Sequence, residues 1–430
     1  MKQKIKQFHK TIKSSIYSKD ENALLGAGIL FFFFAAISAV FNYLYHLFMG
    51  RMLGPEDYGI LGSLFAIIYI ASFSTQTFNM VIAKQVAEFN GKNQLGKVKS
   101  LYHAGFKKTI IFGIIGLGIY LLLTPTIASF MNISSYSEII IVGVITFFLF
   151  LGVLFTGILN GLQKFVWQNN SGFVSTVLKF VLAILFVFIG FKINGALTAI
   201  LIGTIATVVI AYIPIKSTLK NIKEQPFDSK IVYLYAIPVF FASMIFIFII
   251  TLDQILVKHY FSSADAGIYA AAGMIGKMIW FGSSFLISPL FPKLVSLKSK
   301  GKDTSKLFFK VILYTTTLVV LGCLVFYIAP TFIVTLLYGE AYLDSIPLIL
   351  MFGICLGIYS IIQIFMTYNL AIEKYSFVYV FAIGIIFEIA GIYLFHSSLM
   401  EIIKIVLITN IFILVSFLII NKDDLLNNIK

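Results

Sequence analysis

The stretch GRMLGPEDYGI, at Gly50–Ile60, is a short polar interruption between two long apolar runs. A weaker copy, KHYFSSADAGI at Lys258–Ile268, interrupts two later apolar runs in the same way. Three residues recur between the copies at a spacing of 208 residues: Asp57 and Asp265, Gly59 and Gly267, Ile60 and Ile268. Because this spacing is close to half of the 430-residue chain, the pattern predicts a protein made of two repeats.

The composition is that of an integral membrane protein. Hydrophobic residues make up 60% of the chain and charged residues 12%, with a mean hydropathy of +0.98, more apolar than a water-soluble surface allows. Apolar runs of about 20 residues, the length of one membrane-spanning helix, follow one another along the chain. Strands of a membrane barrel would be about 10 residues long and alternating. The predicted fold class is therefore an all-α polytopic membrane protein.

Twelve apolar runs are candidate spans. They lie at about 23–48, 59–83, 109–131, 137–161, 172–191, 194–215, 232–256, 266–291, 307–329, 345–368, 376–396 and 400–420. The predicted organisation is a basic segment at 1–22, a six-helix lobe at 23–215, a linker at 216–231, a second six-helix lobe at 232–420 and a tail at 421–430. Because six is even, the halves enter the membrane in the same sense. Such parallel repeats are typical of transporters, whose site lies between the halves.

The positive charge of the chain follows the predicted topology. With the amino terminus inside, 26 of the 32 Lys and Arg residues fall on the inner side, 4 on the outer side and 2 within spans. Because Lys and Arg concentrate in cytoplasmic loops, both termini are predicted to be cytoplasmic, with the protein in the plasma membrane. The formal charge of +14 therefore requires no nucleic-acid partner.

Other classes of function find little support in the residues. The lysine-rich segment 1–22 has no cleavable signal peptide; it fits either a basic amphipathic helix on an anionic leaflet or a frayed tail. Cys323, Cys355 and the five histidines are scattered, so we predict no disulfide, metal site or cofactor. No phosphate-cradling glycine loop and no nucleophile beside a base is visible, so we predict that the protein is not an enzyme.

Charged residues inside apolar runs are the first functional candidates, because a charge in hydrocarbon is costly. Lys277 lies near the middle of the eighth run; it could bind an anionic cargo or pair with a carboxylate for packing. Lys179 lies seven residues into the fifth run and could reach the membrane surface instead. Glu388, in the eleventh run, could be a buried structural partner or a proton-coupling carboxylate. The repeat offset places Glu388 near the equivalent of Lys179.

Polar residues near the ends of the runs are weaker candidates. Asp253 and Lys258 lie at the outer end of the seventh run, and Arg51 lies at the equivalent end of the first. Ordinary interfacial residues are an alternative interpretation, chiefly for Lys258. Gln76 and Asn79 are three residues apart, so they share one helix face. They could line a polar path or bond a neighbouring helix.

Three motifs carry a resemblance to a known family. GRMLGPEDYGILGSLFAI at 50–67, DQILVKHYFSSADAGIYAAA at 253–272 and SPLFPKLVSL at 288–297 resemble the polysaccharide-export flippases of the multidrug/oligosaccharidyl-lipid/polysaccharide exporter (MOP) superfamily. The resemblance implies two six-helix lobes in a V, a central cavity and alternating access. It also implies a cargo, an oligosaccharide on a polyprenyl pyrophosphate, moved from the inner to the outer leaflet. Lys277 would face the cavity, with Arg51 and Lys258 at its outer mouth.

The predicted function is therefore a lipid-linked oligosaccharide flippase for surface polysaccharide synthesis. Its expected partners are the lipid-linked cargo and membrane lipids, together with a polysaccharide polymerase or glycosyltransferases. A multidrug or cation antiporter of the same superfamily is one alternative, for which Asp253 and Glu388 are the deep acidic residues. A membrane scaffold for polysaccharide enzymes is another, and it would have no use for a cation at Lys277.

Overall fold

All regular structure in the described part of the chain is helical. The computed structural model describes residues 21–226, 244, 247–300, 304–372 and 374–422. In chain order the helices are α1 (Glu21–Gly91), α2 (Leu95–Phe130), α3 (Tyr136–Gly161), α4 (Phe165–Phe188), α5 (Lys192–Leu219), α6 (Leu252–Tyr260), α7 (Ser263–Ile287), α8 (Leu290–Ser299), α9 (Ser305–Ile328), α10 (Pro330–Leu337), α11 (Ile346–Ala371), α12 (Phe377–Leu394) and α13 (Leu399–Ile420), with a 3₁₀ turn at Glu340–Ser345 before α11. Within these ranges, ten helical stretches are long and apolar enough to cross a membrane. The all-α polytopic fold class is confirmed.

The predicted spans correspond closely to these helices. α1 has 71 residues and would be about 107 Å long if straight, so it contains the two spans predicted at 23–48 and 59–83. The other predicted runs fall on α2 to α5, on α7 with the start of α8, and on α9, α11, α12 and α13. The run at 232–256 lies mainly outside the described residues, as does the basic segment at 1–22, so their predicted structure stays untested.

The stretch Gly50–Ile60 forms a kink rather than a loop. Gly54 has φ 75° and ψ 174°, and helix continues on both sides of it. This left-handed φ favours glycine, because a side chain there would be strained. Pro55 then begins the second helical segment, where its missing N–H and fixed φ cost nothing. The outer turn that we predicted between the first two spans is thus confined to one glycine.

Contacts divide the chain into two units, which we describe separately. The first unit comprises the described parts of residues 1–48, 71–127 and 135–241, and the second comprises those of 49–70, 128–134 and 242–430. The second unit therefore includes the middle of α1 and the end of α2. The predicted lobes at 23–215 and 232–420 express the symmetry of the sequence, which these contacts do not test.

The described part of the first unit contains a buried cluster near the predicted cytoplasmic ends of its helices. The members of this cluster come from α1, α2, α3 and α5: Val86, Phe89, Val98, Leu101, Leu151, Leu154, Phe155, Ile158, Leu159, Ala211, Ile215 and Leu219. α5 packs against both α3 and α4. A Cβ at Gly161 would lie 2.6 Å from the Ala83 carbonyl oxygen, so α1 and α3 approach closely there, as helices in membranes do at small residues.

The second unit is centred on α11, which packs against α7, α9 and α13. Its core is aromatic: the ring centroids of Phe308 and Tyr368 are 4.5 Å apart, and those of Tyr269 and Phe352 are 4.8 Å apart. α12 packs against α13. This arrangement places the polar residues of α6, α7 and α12 inside an apolar bundle.

The two copies of the repeated motif pack against each other within the second unit. An ideal Cβ on Gly59 would lie 1.9 Å from the carbonyl oxygen of Ser263, and one on Gly267 would lie 1.9 Å from that of Pro55. Pro55 and Ser263, like Gly59 and Gly267, are 208 residues apart, so the two contacts are equivalent by a local two-fold relation. We call this contact the glycine crossing. It explains why both copies keep glycine, since any side chain would force the helices apart.

Candidate functional site

Lys277 is a charged residue inside α7, an apolar helix of the second unit. It lies on α7, 14 residues after Ser263, and its Nζ is 5.2 Å from the ring centroid of Tyr69 on α1. A cation over an aromatic face is attracted by the ring quadrupole, more strongly where water is excluded. The ammonium also interacts electrostatically with Asp253. α7 and α1 are thus joined here by a cation that keeps donors for an anionic ligand.

Asp253 lies at the start of α6 and is 7% exposed. Its Oδ2 accepts a 2.8 Å hydrogen bond from the Tyr269 hydroxyl on α7. A buried carboxylate is stable only when it is hydrogen-bonded and compensated by a cation. Tyr269 and Lys277 provide these two functions, so Asp253 positions α6 against α7 and compensates the charge of Lys277. Asp253 and Tyr269 are the two ends of the D-x(15)-Y part of the quoted motif.

Glu388 is fully buried on α12, and neither carboxylate oxygen has a hydrogen-bond partner among the described residues. A Cβ on Gly384 would lie 2.8 Å from Ile413 and 3.7 Å from Thr409, and one on Gly391 would lie 2.8 Å from Ile405, all on α13. Glu388 lies between these glycines on one helix face, so it faces α13. On that helix, the hydroxyl of Thr409 and the side-chain amide oxygen (Oδ1) of Asn410 are also buried without a hydrogen-bond partner in the described chain. Glu388 interacts electrostatically with Asp253.

A carboxylate in such surroundings cannot remain charged without a counter-ion, because desolvation costs several kcal/mol. The arrangement can therefore take up a proton or another cation. This distinguishes Glu388 from Asp253, which already has Tyr269 and Lys277 beside it.

Arg51 contacts backbone rather than an open site. Its Nε donates to the carbonyl oxygen of Leu337 at 2.9 Å and its Nη2 to that of Thr335 at 3.0 Å, with a further bond to that of Leu336. These three carbonyls end α10. A guanidinium at a helix C-terminus satisfies orphan carbonyls and complements the helix dipole. Arg51 thus joins α1 to α10, a role that the sequence did not indicate.

Removing this cap is expected to destabilise the protein without stopping transport. For Arg51→Ala we expect a loss of about 1 kcal/mol, typical of a hydrogen-bonded helix cap. The measurement is the apparent melting temperature of the purified protein in detergent. Arg51→Lys keeps the positive charge but loses the forked set of N–H donors. Its melting temperature is expected to lie between those of the wild type and Arg51→Ala. An Arg51→Ala protein of unchanged melting temperature would contradict the capping role.

Lys258 is buried within the second unit. It is 1% exposed, and its Nζ donates to the carbonyl oxygen of Asn132 at 3.1 Å. The neighbouring His259 stacks on Phe130 with ring centroids 4.1 Å apart. The end of α2 and the following residues cover Lys258 because the second unit includes residues 128–134. Lys258 therefore holds this segment in place, and its predicted role at a cavity mouth stays a prediction.

Lys179, in the first unit, also lies beside a tyrosine. Its Nζ is 4.8 Å from the ring centroid of Tyr45 and donates a hydrogen bond to Oδ1 of Asn42, both on α1. The Tyr45 hydroxyl donates to the carbonyl oxygen of Ala196 on α5. Lys179 is thus fixed between helices, which favours binding within the unit over extension to the membrane surface. Lys179 over Tyr45 in the first unit thus resembles Lys277 over Tyr69 in the second, and both tyrosines lie on α1.

Asn79 bonds a neighbouring helix, while Gln76 is exposed. Nδ2 of Asn79 donates to the hydroxyl of Thr156 on α3 at 2.8 Å, and Asn160 donates to Asn79 Oδ1 at 3.5 Å. These bonds match the helix-contact alternative for Asn79. The side chain of Gln76, on α1, is exposed and available to a ligand.

A family model described as "Polysaccharide biosynthesis protein" matches residues 25–298, well over half of the chain. The chain belongs to this family. The resemblance predicted from the three motifs is thereby confirmed, and the matched range includes Lys179, Asp253 and Lys277. No curated protein sequence matches the chain.

Solved structures show that this polysaccharide biosynthesis protein has the fold of MOP-superfamily transporters. An inward-facing multidrug resistance MATE family transporter matches with a TM-score of 0.77 and 11% identity, over 90% of this chain and 94% of that one. The lipid II flippase MurJ, in an inward closed conformation, matches with a TM-score of 0.70 and 15% identity, over 92% and 87%. A MOP superfamily transporter from Pyrococcus furiosus matches with a TM-score of 0.58 and 15% identity, over 95% and 96%. At such identities the likeness concerns the fold.

Sequence reasoning did not single out the tyrosines. The rings of Tyr45 and Tyr69 on α1 each lie beneath the ammonium of a lysine that is distant in the chain. The sequence has 22 tyrosines, and no local sequence pattern distinguishes these two from the others. Tyr269 had a signal, because it belongs to the GIY of the quoted motif. Thr409 and Asn410 could have been found as adjacent polar residues in an apolar run opposite the run of Glu388.

Proposed function

We propose that this polysaccharide biosynthesis protein is a flippase that moves a polyprenyl-pyrophosphate-linked oligosaccharide from the inner to the outer leaflet by alternating access. Family membership and the transporter fold support the transport class. The observation that carries the cargo assignment is Lys277, a cation inside an apolar helix, over the ring of Tyr69 and within electrostatic range of Asp253. A pyrophosphate needs such a cation to offset its desolvation.

Each part of the cargo has a matching chemistry in the chain. The ammonium of Lys277 binds the pyrophosphate, and Lys179 provides the corresponding cation in the first unit. Exposed aromatic and amide side chains, such as Gln76, suit the sugar hydroxyls. The lipid tail remains in the membrane. The protein does no covalent chemistry in this scheme, and its site in the plasma membrane, with both termini cytoplasmic, follows the distribution of Lys and Arg.

The direct test is transport by the purified protein in proteoliposomes. We expect a fluorescent lipid-linked oligosaccharide, added to one leaflet, to become accessible to a membrane-impermeant quencher on the other side. A lipophilic cationic dye is the matched substrate for the antiporter alternative. Movement of the dye without movement of the lipid would overturn the flippase assignment. Movement of neither, in vesicles that contain folded protein, would favour the scaffold for a polymerase or glycosyltransferases.

We further propose that Glu388 couples transport to a cation, most simply a proton. Its two unpartnered oxygens support this, because an ionised carboxylate there has no hydrogen bond from the described residues. For Glu388→Gln, which keeps size and polarity, we expect a folded protein whose transport no longer responds to an imposed proton gradient. The measurement is the lipid-flipping rate with and without that gradient.

The control for this experiment is Glu401→Gln, since Glu401 is an acceptor at the start of α13 in the same unit. It is expected to keep the response of the wild type. If Glu388→Gln also keeps that response, Glu388 is a structural carboxyl and the coupling proposal is wrong.

A further inference from the structure

The first unit contains a groove that the proposed transport site does not use. It has a volume of about 480 Å³ and lies between α1, α2 and α3, with walls that are almost wholly apolar. Five aromatic side chains from these three helices line it: Phe78, Phe112, Tyr120, Phe147 and Phe150. Lys108 is the charged residue of its lining. We call it the α2 groove.

The α2 groove opens on the membrane side of α2. Phe112, which lines it, is 67% exposed, and Ile115 and Leu122 on the same helix are 53% and 81% exposed. In a membrane-spanning helix, apolar side chains of this exposure contact lipid. The groove is therefore accessible from the hydrocarbon without passing through water.

Small residues give the groove its depth. A Cβ on Gly143 would lie 2.5 Å from the ring of Tyr120, and one on Gly113 would lie 2.9 Å from that of Phe147. The rings thus lie directly on glycine backbone. At Gly116, by contrast, no atom lies within 4 Å of the Cβ position. Gly116 therefore faces open space in the groove, which a side chain would fill.

The part of the groove beyond Lys108 matches one leaflet in length. The lining on α2 runs from Leu101 to Tyr120, and its part from Lys108 to Tyr120 covers 12 residues, about 18 Å along the helix axis. One leaflet contributes about 15 Å to the hydrocarbon thickness. Lys108 lies in the half of the α2 lining that the Lys and Arg distribution places toward the cytoplasm. A lipid of the inner leaflet would place its head at Lys108 and its chain along the groove.

We propose that the α2 groove binds the isoprenoid chain of a polyprenyl phosphate or pyrophosphate lipid, with the phosphate at Lys108. Charge complementarity selects an anionic head, because an ammonium at the edge of hydrocarbon attracts a phosphate. The aromatic walls suit a methyl-branched, unsaturated chain, which contacts ring faces along its length. This inference rests on the proposed function for its choice of lipid. It adds a docking site for the carrier lipid in the first unit.

The test is photo-crosslinking of the purified full chain in nanodiscs with a polyprenyl phosphate that carries a photoreactive group in its chain. We expect the label in peptides covering 101–120 and 143–154. Gly116→Leu fills the groove and is expected to reduce the labelling of these peptides about tenfold, since burial of a few chain carbons is lost. Gly118→Leu is the matched control: it also has open space at its Cβ but lies outside the lining, so labelling should be unchanged.

A second pair of variants tests the phosphate. Lys108→Gln is expected to lower labelling several-fold, whereas Lys107→Gln, an exposed neighbour outside the lining, is expected to leave it unchanged. Equal labelling of all four variants would overturn the groove assignment. Competition by excess phosphatidylglycerol as strong as that by unlabelled polyprenyl phosphate would overturn the assignment to an isoprenoid chain and would define a general lipid site.

Binding and transport can be separated in this design. If the wild type is labelled in the groove but moves no lipid-linked oligosaccharide, the proposed transport function is wrong and lipid binding in the groove is supported. If the wild type transports but Gly116→Leu is labelled and transports normally, the proposed lipid site is wrong and the transport function is supported.

Discussion

Lys277→Ala is expected to reduce the flipping of lipid-linked oligosaccharide at least tenfold while the protein still folds. The ammonium lies over the ring of Tyr69 and within electrostatic range of Asp253 inside an apolar helix, where a hydrogen bond to a charged phosphate is worth about 1.5–3 kcal/mol. A loss of that size in the transition state corresponds to roughly 10- to 100-fold in rate. The measurement is the initial rate of fluorescence quenching in proteoliposomes, normalised to protein content.

Two controls make this result specific. Lys277→Arg keeps the cation and is expected to retain most of the activity, whereas Lys293→Ala removes an exposed lysine on α8 of the same unit and should have no effect. Lys277→Ala also leaves Asp253 with one fewer compensating charge, so its melting temperature must be measured alongside. Normal flipping by a folded Lys277→Ala protein would contradict the proposal that Lys277 binds the cargo.

Gly267→Val is expected to have the second large effect, because it breaks the glycine crossing. A Cβ at this position would lie 1.9 Å from the Pro55 carbonyl oxygen, so the backbones must separate by more than an ångström to reach ordinary contact. Forced repacking of this kind costs about 1–3 kcal/mol or more. We expect transport to fall at least tenfold, and Gly59→Val to do the same because its contact with Ser263 is equivalent.

The crossing itself can be measured by a disulfide. A Cβ on Gly62 would lie 2.9 Å from that of Ala270, about 1 Å closer than the Cβ atoms of bridged cysteines. The double variant Gly62→Cys with Ala270→Cys is therefore expected to form a disulfide on oxidation once the helices separate by that amount, detected by mass spectrometry, and added Gly267→Val, which forces such a separation, should change the rate of its formation. Gly118→Val, where the Cβ position is open, is the control for the change of residue type. Unchanged transport and disulfide formation in Gly267→Val would show that the crossing is not required.

The helices could be predicted from sequence because the membrane leaves few alternatives. A run of about 20 apolar residues must satisfy its own backbone, and a helix does so regardless of its neighbours. The kink at Gly54 was harder to predict. The pair Gly54-Pro55 indicates a break in the helix, but whether this break becomes a loop or a one-residue bend depends on how the following segment packs.

The candidate site was only partly predictable. Lys277, Lys179, Asp253 and Glu388 stand out because charge in hydrocarbon is costly wherever the helix goes. Their partners are set by packing between distant segments, such as Tyr69 against Lys277 or the end of α10 against Arg51. The position of a residue along an apolar run does not predict its burial in the folded protein. Lys258 lies near the end of a run, yet it is buried beneath residues 128–134.

The sequence by itself determined the membrane class, the number and order of the apolar runs, and the repeat of Gly59 in Gly267, because these follow from hydrophobicity, charge and chain spacing. Only the tertiary structure decided that the two copies of the repeat contact each other, which cations meet tyrosine rings, and that Glu388 has no hydrogen-bond partner in the described chain. Contacts between segments some 200 residues apart depend on close fitting of side chains and backbone, and no local pattern carries that information.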